Sequence, residues 1–166
     1  LGGLPDVAPN LNRLSEEGIF FTHCYANSFR TDRGTVCALS GYLGLPTVSV
    51  MKIPTKSRTL PAISEELVKA GYQTDFLYGG DINFTNMKSY LLSKGYQHLT
   101  ADTDFSLAER NSNVWGVNDD ITSEWLLNHL KQRSDKETPW FTTYLTLSSH
   151  EPFDVPYSRL EEKIPN

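Results

Sequence analysis

Apolar positions along this chain switch between a helical period and strand-length runs, and the switching sets out the elements. Pro9 with the Leu11, Leu14 spacing, ending in Glu16-Glu17-Gly18, predicts a short helix stopped by glycine. Ile19 to Tyr25 is a continuous apolar run and predicts a buried strand. A helix follows from about Asp32 to Ser40. Gly41 to Arg58 carries two glycines and two prolines and reads as a long loop. Thr59 and Pro61 open a helix with Leu60, Ile63 and Leu67 on one face, closed by Gly71. Tyr72 to Tyr78 predicts a second strand, Gly79-Gly80-Asp81 a turn, and Phe84 to Ser93 a helix. Tyr96 to Leu99 reads as a short third strand. Ala101 to Val117 is polar and irregular. Asn118-Asp119-Asp120 caps an amphipathic helix through Ile121, Trp125, Leu126 and Leu130, which Pro139 breaks. Trp140 to Leu147 predicts a last strand, which Ser148-Ser149-His150-Glu151-Pro152 leaves. Strands alternating with helices specify the α/β class: a mainly parallel sheet with helices on both faces.

Composition narrows the picture a little. The 166 residues suffice for one domain with a core, and 39% hydrophobic and 11% aromatic content suits a globular protein. The net charge is −5, and Lys and Arg are scattered, so no nucleic-acid partner is expected. No run of about 18 apolar residues is present, so no membrane segment is expected in this chain, and there is no secretory h-region. The chain opens on Leu1-Gly2-Gly3 and closes on Ile164-Pro165-Asn166. Both ends read as cuts in a longer protein, which leaves an exported or membrane-anchored parent open. Cys24 and Cys37 do not form a CxxC pair, so a zinc ribbon is not expected. They read as buried free thiols, with a disulfide left open for an exported parent.

The candidate chemistry begins at Ser28-Phe29-Arg30-Thr31-Asp32-Arg33-Gly34-Thr35. A strand-to-helix turn here lifts the Thr31 hydroxyl to the C-terminal edge of the sheet. It also aims the first N–H groups of the helix at whatever that hydroxyl attacks. Arg30 and Arg33 stand nearby to offset the charge of a phosphate or sulfate ester. The plainer alternative is a Thr or Asp that only caps the helix. Asp81 and His150 also fall just past strand ends, where open parallel sheets bind ligands. Each alone reads as a turn or loop residue. Together the three place a nucleophile, a carboxylate and an imidazole around one cleft, as ester cleavage or group transfer requires.

These residues also carry a resemblance. Ala8-Pro9-Asn10-Leu11-Asn12-Arg13-Leu14-Ser15-Glu16-Glu17-Gly18-Ile19-Phe20-Phe21-Thr22 resembles the PNLDRLAxEGxxFTNxY segment of the sulfatase and alkaline phosphatase superfamily. Aligning the nucleophile turn so that its glycine meets Gly41 puts the sulfatase cysteine on Thr31. The Pro and Arg of Cys-x-Pro-x-Arg then meet Arg33 and Thr35, so the formylglycine motif is absent. The branch resembled more closely is that of lipoteichoic acid synthases and phosphoglycerol transferases, which use a threonine in a setting like Arg30-Thr31-Asp32. Their HGDxxxFWNR…FGYD segment resembles Tyr78-Gly79-Gly80-Asp81-Ile82-Asn83-Phe84-Thr85-Asn86-Met87-Lys88 with Lys94-Gly95-Tyr96. Their WGxxD resembles Trp115-Gly116-Val117-Asn118-Asp119. Their LTLxxHxPF resembles Leu145-Thr146-Leu147-Ser148-Ser149-His150-Glu151-Pro152-Phe153.

The resemblance implies that residues 1–166 are the central portion of one catalytic domain. It makes Thr31 both nucleophile and metal ligand, and makes His150 catalytic. Arg30, Asp81 and Lys88 contact substrate in this reading. The implied cofactor is a divalent cation (Mn, Mg, Zn or Ca) whose other ligands lie outside the chain, so that the fragment alone is inactive. The implied substrate is an anionic lipid or glycan ester, and the implied setting is the extracytoplasmic face of a bacterial envelope, on a membrane-anchored parent. The family's pocket tryptophan falls on Asn86 and its arginine on Lys88, so an aromatic shelf is lost and a bidentate cation becomes a point charge. Three functions compete: a phosphoryl-ester transferase or hydrolase of phosphoglycerol or phosphoethanolamine type, a true sulfatase with an unusual nucleophile, and a non-catalytic module binding an anionic glycan or headgroup. A sheet lacking strands from both ends of its domain would also expose edges for self-association.

Overall fold

The computed structural model describes residues 7–153, in two units: residues 7–26 and residues 27–153. The terminal tripeptides Leu1–Gly3 and Ile164–Asn166 lie outside the described residues. The first unit holds α1 (Pro9–Glu17), with proline in the first turn as predicted. The expected strand at Ile19 to Tyr25 does not form. Ile19, Phe21 and Tyr25 are exposed, and no ladder partner lies beside them among the described residues. An apolar run becomes a strand only where a neighbour accepts its backbone hydrogen bonds. Cys24 is accordingly exposed rather than buried, Cys37 is half-buried, and both are free thiols.

The second unit is α/β. It runs α2 (Thr31–Ser40), a 3₁₀ turn at Val50–Lys52, α3 (Pro54–Ser57), α4 (Ile63–Lys69), β1 (Gln73–Tyr78) and α5 (Met87–Ser93). It continues through β2 (His98–Thr100), α6 (Leu107–Arg110), α7 (Asp119–Gln132) and β3 (Trp140–Leu145). The sheet order is β2-β1-β3, with both pairings parallel. Thr74, Asp75, Phe76 and Leu77 of the central strand are all buried, as a strand covered on both faces requires. On one face Phe76 joins Val36, Leu39, Met87, Tyr90, Leu91 and Tyr96 in the core. The Phe76 and Tyr96 rings meet edge to face at 5.4 Å. On the other face α7 packs against β1, and its Thr122 hydroxyl shares a 2.7 Å hydrogen bond with Tyr144 of β3.

Three departures from the sequence pattern have local causes. The expected loop from Gly41 to Arg58 contains the 3₁₀ turn and α3, because Pro54 starts a helix as well as it ends an extended run. The helix expected from Thr59 begins only at Ile63, and Ile63 is exposed while Ser64 is buried. Ser64 Oγ–H donates to the Lys94 carbonyl at 2.6 Å, so a polar contact turns that helix face inward. The helix expected over Phe84 to Ser93 is broken at Thr85 and Asn86, both at positive φ. There Asn86 Nδ2 donates to the Met51 carbonyl at 3.0 Å, tying the start of α5 to the 3₁₀ turn.

Candidate active site

Three segments meet at the C-terminal end of β1 and β3. The first is the start of α2. Arg30 is extended, the helix begins at Thr31, and the Thr31 side chain is exposed. A loop rather than a strand leads into it. Asp32 is buried, accepts from the Arg33 N–H at 3.1 Å and lies 3.9 Å from Lys52 Nζ. The guanidinium groups of Arg30 and Arg33 both lie over the Phe29 ring, at 5.9 and 5.8 Å. Arg33 Nε is buried without a hydrogen-bond partner among the described residues.

The second segment is the end of β1. Tyr78 closes the strand, and burial together with the charges of Asp81 and Asp102 pushes its phenol pKa up. A neutral phenol is a hydrogen-bond donor. Its ring lies over Gly80, where a Cβ would sit 2.6 Å from Tyr78 Cζ. Gly80 and Gly79 in turn meet Gly116: Val117 N–H donates to the Gly79 carbonyl at 2.8 Å, and Gly80 bridges Gly116. A Cβ on Gly116, at φ 139°, would run into the Gly79 carbonyl oxygen.

The third segment leaves β3. The Asp119 carboxylate accepts from the N–H groups of Leu147 and Ser148 at 2.7 and 2.9 Å. Ser148 Oγ accepts from the Asp119 N–H at 2.8 Å and donates its hydroxyl proton to Asn118 Oδ1 at 3.2 Å. This clamp fixes the loop that presents His150. The Trp115 and His150 rings lie 4.4 Å apart, and Trp115 Nε1–H donates to the Glu151 carbonyl at 2.6 Å.

Thr31, Tyr78, Leu145, Thr146, Leu147, Ser149 and His150 line one pocket of about 160 Å³. Asp81 is exposed outside it, its carboxylate accepting from the Asn83 N–H at 2.8 Å and from Asn83 Nδ2 at 3.1 Å. Lys88 lines a separate depression of about 670 Å³ with Arg58, Asn83 and Asn86. Asp81 thus stands between the two, its charge felt by Tyr78 and its side chain bonded to Asn83. Arg30 lines neither. Sequence reasoning gives neither Tyr78 nor Trp115 a role of its own: Tyr78 reads as a strand end and stands in its motif, and Trp115 stands in its motif alone. The position of Tyr78 directly before Gly-Gly was the available signal.

A larger depression, of about 800 Å³, lies at the other end of the strands, lined by Gln73, Asp75, His98, His129 and Arg133 among others. Its buried Asp75 is held by Arg133 at 3.8 Å. The smaller pocket is the better site, because open parallel sheets bind at the C-terminal ends of their strands and this pocket brings the Thr31 hydroxyl to an imidazole there. Among the described residues no three His, Cys, Asp or Glu side chains cluster as metal ligands. The described residues therefore do not by themselves make a divalent-cation site.

A family model described as Sulfatase matches residues 1–163. This chain belongs to the sulfatase family. Among solved structures, this sulfatase-family chain is similar to an alkaline phosphatase superfamily protein from Vibrio parahaemolyticus. That match has a TM-score of 0.82 and 31% identity over 93% of this chain and 38% of that one. It also shares the fold of the lipoteichoic acid synthase LtaP from Listeria monocytogenes, with a TM-score of 0.80 and 16% identity over 90% of this chain and 36% of that one. Phosphoglycerol transferase I of Escherichia coli strain 55989 is 26% identical over 159 residues. The Shigella boydii phosphoglycerol transferase I is equally similar. Each match covers 89% of this chain and 20% of the relative, so the chain spans about a fifth of the length of these relatives. The alkaline phosphatase-like α/β fold expected from the sequence is the fold observed.

Proposed function

We propose that residues 1–166 are the central portion of the catalytic domain of an enzyme that transfers or hydrolyses a phosphoryl ester, with Thr31 as nucleophile. The observation that carries this reading is the shared pocket: Thr31 and His150 line it together with the neutral phenol of Tyr78. The Thr31 oxygen attacks phosphorus, and its proton leaves to a base. The P–O bond to the leaving alcohol breaks, and a phosphothreonine ester remains. A second alcohol, or water, then attacks phosphorus and restores the threonine. His150 handles the proton of the leaving or entering alcohol. The Tyr78 O–H donates to a non-bridging oxygen as charge builds there.

The substrate is an anionic lipid or glycan ester of phosphoglycerol or phosphoethanolamine type. Its polar headgroup extends past Asp81 toward Lys88 and Arg58, while Arg30 meets the phosphate from solvent. Similarity to phosphoglycerol transferase I, and the absence of the formylglycine motif, favour phosphorus over sulfur. A divalent cation in the parent protein takes its acidic and imidazole ligands from beyond this chain, with Thr31 the ligand offered here. The parent works at the bacterial envelope, outside the cytoplasm. No described helix is long and apolar enough to cross a membrane, so an anchor would lie elsewhere in the parent. Produced alone, the chain is inactive and self-associates through its sheet edges.

The test is a substrate panel on the parent protein, comparing a glycerol phosphodiester with an aryl sulfate. Phosphodiester turnover that Thr31→Ala abolishes and Cys37→Ala leaves intact is the expected result. Turnover of the sulfate alone would establish the sulfatase reading instead. Full activity in Thr31→Ala would remove this residue as nucleophile.

A further inference from the structure

His150 Nδ1 lies 2.9 Å from the carbonyl oxygen of Glu151. A carbonyl oxygen only accepts, so Nδ1 must carry the proton and donate. Which ring nitrogen holds the proton of a neutral histidine is set by the partner of the other nitrogen. Here the backbone binds Nδ1–H, and the lone pair of the neutral ring falls on Nε2. The same Glu151 oxygen receives a second donor, Trp115 Nε1–H, at 2.6 Å. The Trp115 ring also lies against the imidazole, with centroids 4.4 Å apart and planes at 53°. One tryptophan thus holds both the ring and the carbonyl that selects its tautomer.

The loop is otherwise pinned at its ends. His150 N–H donates to the Leu147 carbonyl at 3.0 Å, and Phe153 N–H donates to the His150 carbonyl at 2.8 Å. Between those two bonds, among the described residues, the Glu151 carbonyl has Trp115 as its one anchor from a distant segment, 36 residues away in sequence. Trp115 is itself placed by the close approach of Gly116 to Gly79, so the arm starts from the end of β1.

We propose that Trp115 is a positioning residue for His150. It fixes the imidazole as the Nδ1–H tautomer and leaves Nε2 as the nitrogen that serves the Thr31 pocket. The proposal deepens the reading above and rests on it for the role of His150 in turnover. The tautomer itself is a property of the fold.

The experiment uses the parent protein labelled with ¹⁵N-histidine, with the His150 signals assigned by their loss in His150→Gln. Nitrogen shifts that report Nδ1–H and a bare Nε2 in the neutral ring are expected for wild type. Trp115→Phe keeps an aromatic ring against His150 but removes the indole N–H. It should mix the two tautomers and lower kcat for the glycerol phosphodiester about tenfold, with KM changed less than about twofold. Trp115→Ala should lower kcat further. A wild-type ring protonated on Nε2 would overturn the proposal. So would Trp115→Phe and Trp115→Ala proteins that both keep the Nδ1–H tautomer and the wild-type kcat while His150→Gln is inactive; the catalytic reading would then survive. A fully active His150→Gln would instead overturn the catalytic role of His150, with the nitrogen shifts still deciding what Trp115 does to the ring.

Discussion

A single missing side chain decides where the Tyr78 phenol sits. Gly80 lets the ring fold over the backbone, and a Cβ there would lie 2.6 to 2.8 Å from the ring atoms Cζ, Oη and Cε1. The far end of a tyrosine side chain can swing away, so Gly80→Ala should unfold nothing and cost about 1 kcal/mol in a urea titration. It should still displace the phenol from the pocket and slow phosphodiester turnover by roughly tenfold or more. Gly116→Ala meets a backbone carbonyl, which has no such escape, and adds a Cβ at φ 139°. It should cost several times more stability than Gly80→Ala in the same titration. Equal costs for the two variants would show that the Gly79–Gly116 contact is loose. Lys94 is a third residue of this kind. Its side chain is fully buried, and Nζ donates to the carbonyls of Arg58 and Leu60 and lies 3.5 Å from Glu65. Lys94→Met should destabilise by about 2–4 kcal/mol, read from the denaturation midpoint, because buried acceptors lose their donor.

Elements with a strong, long pattern formed where the pattern put them. β1, β3 and α7 lie within a residue or two of the expected ranges, and Ile121, Trp125, Leu126 and Leu130 all turn partly inward as expected. The pattern failed where the outcome depends on a distant partner. Ile19 to Tyr25 has strand composition but no ladder, and the Asn86 amide bends the start of α5 because Met51 is there to accept it. The site divides in the same way. Thr31 and His150 stood out because unusual polar groups followed runs of strand composition. Tyr78 and Trp115 make their contacts 36 residues away or across a glycine turn, which no local window contains. At this scale the clamp on α7 is testable. Asp119→Ala removes the acceptor for the N–H groups of Leu147 and Ser148, so it should raise amide exchange at those two residues while leaving β1 protected.

For the main unit as a whole, buried phenols set how it responds to alkali. Burial pushes the pKa of Tyr90 up to about 12 and raises those of Tyr78 and Tyr96. In the unfolded chain these groups ionise near pH 10. Their folded pKa is raised, so their contribution to stability is complete below about pH 10 and is lost as pH climbs toward about 12. Denaturation midpoints should hold level up to about pH 9.5 and fall above it, and Tyr90→Phe should make that fall shallower. A midpoint unchanged to about pH 11.5 would contradict the burial of these rings. The sheet order has a different kind of consequence, one that belongs to synthesis on the ribosome. β1 is the central strand, yet its two neighbours come later in the chain: β2 follows closely, whereas Thr142 faces Asp75 from 67 residues downstream. While those residues are being translated, one edge of the most buried strand has no neighbour, and an open apolar edge recruits other chains. Nascent chains arrested before Trp140 should therefore bind chaperones and crowd into aggregates, and chains released after β3 has emerged should not.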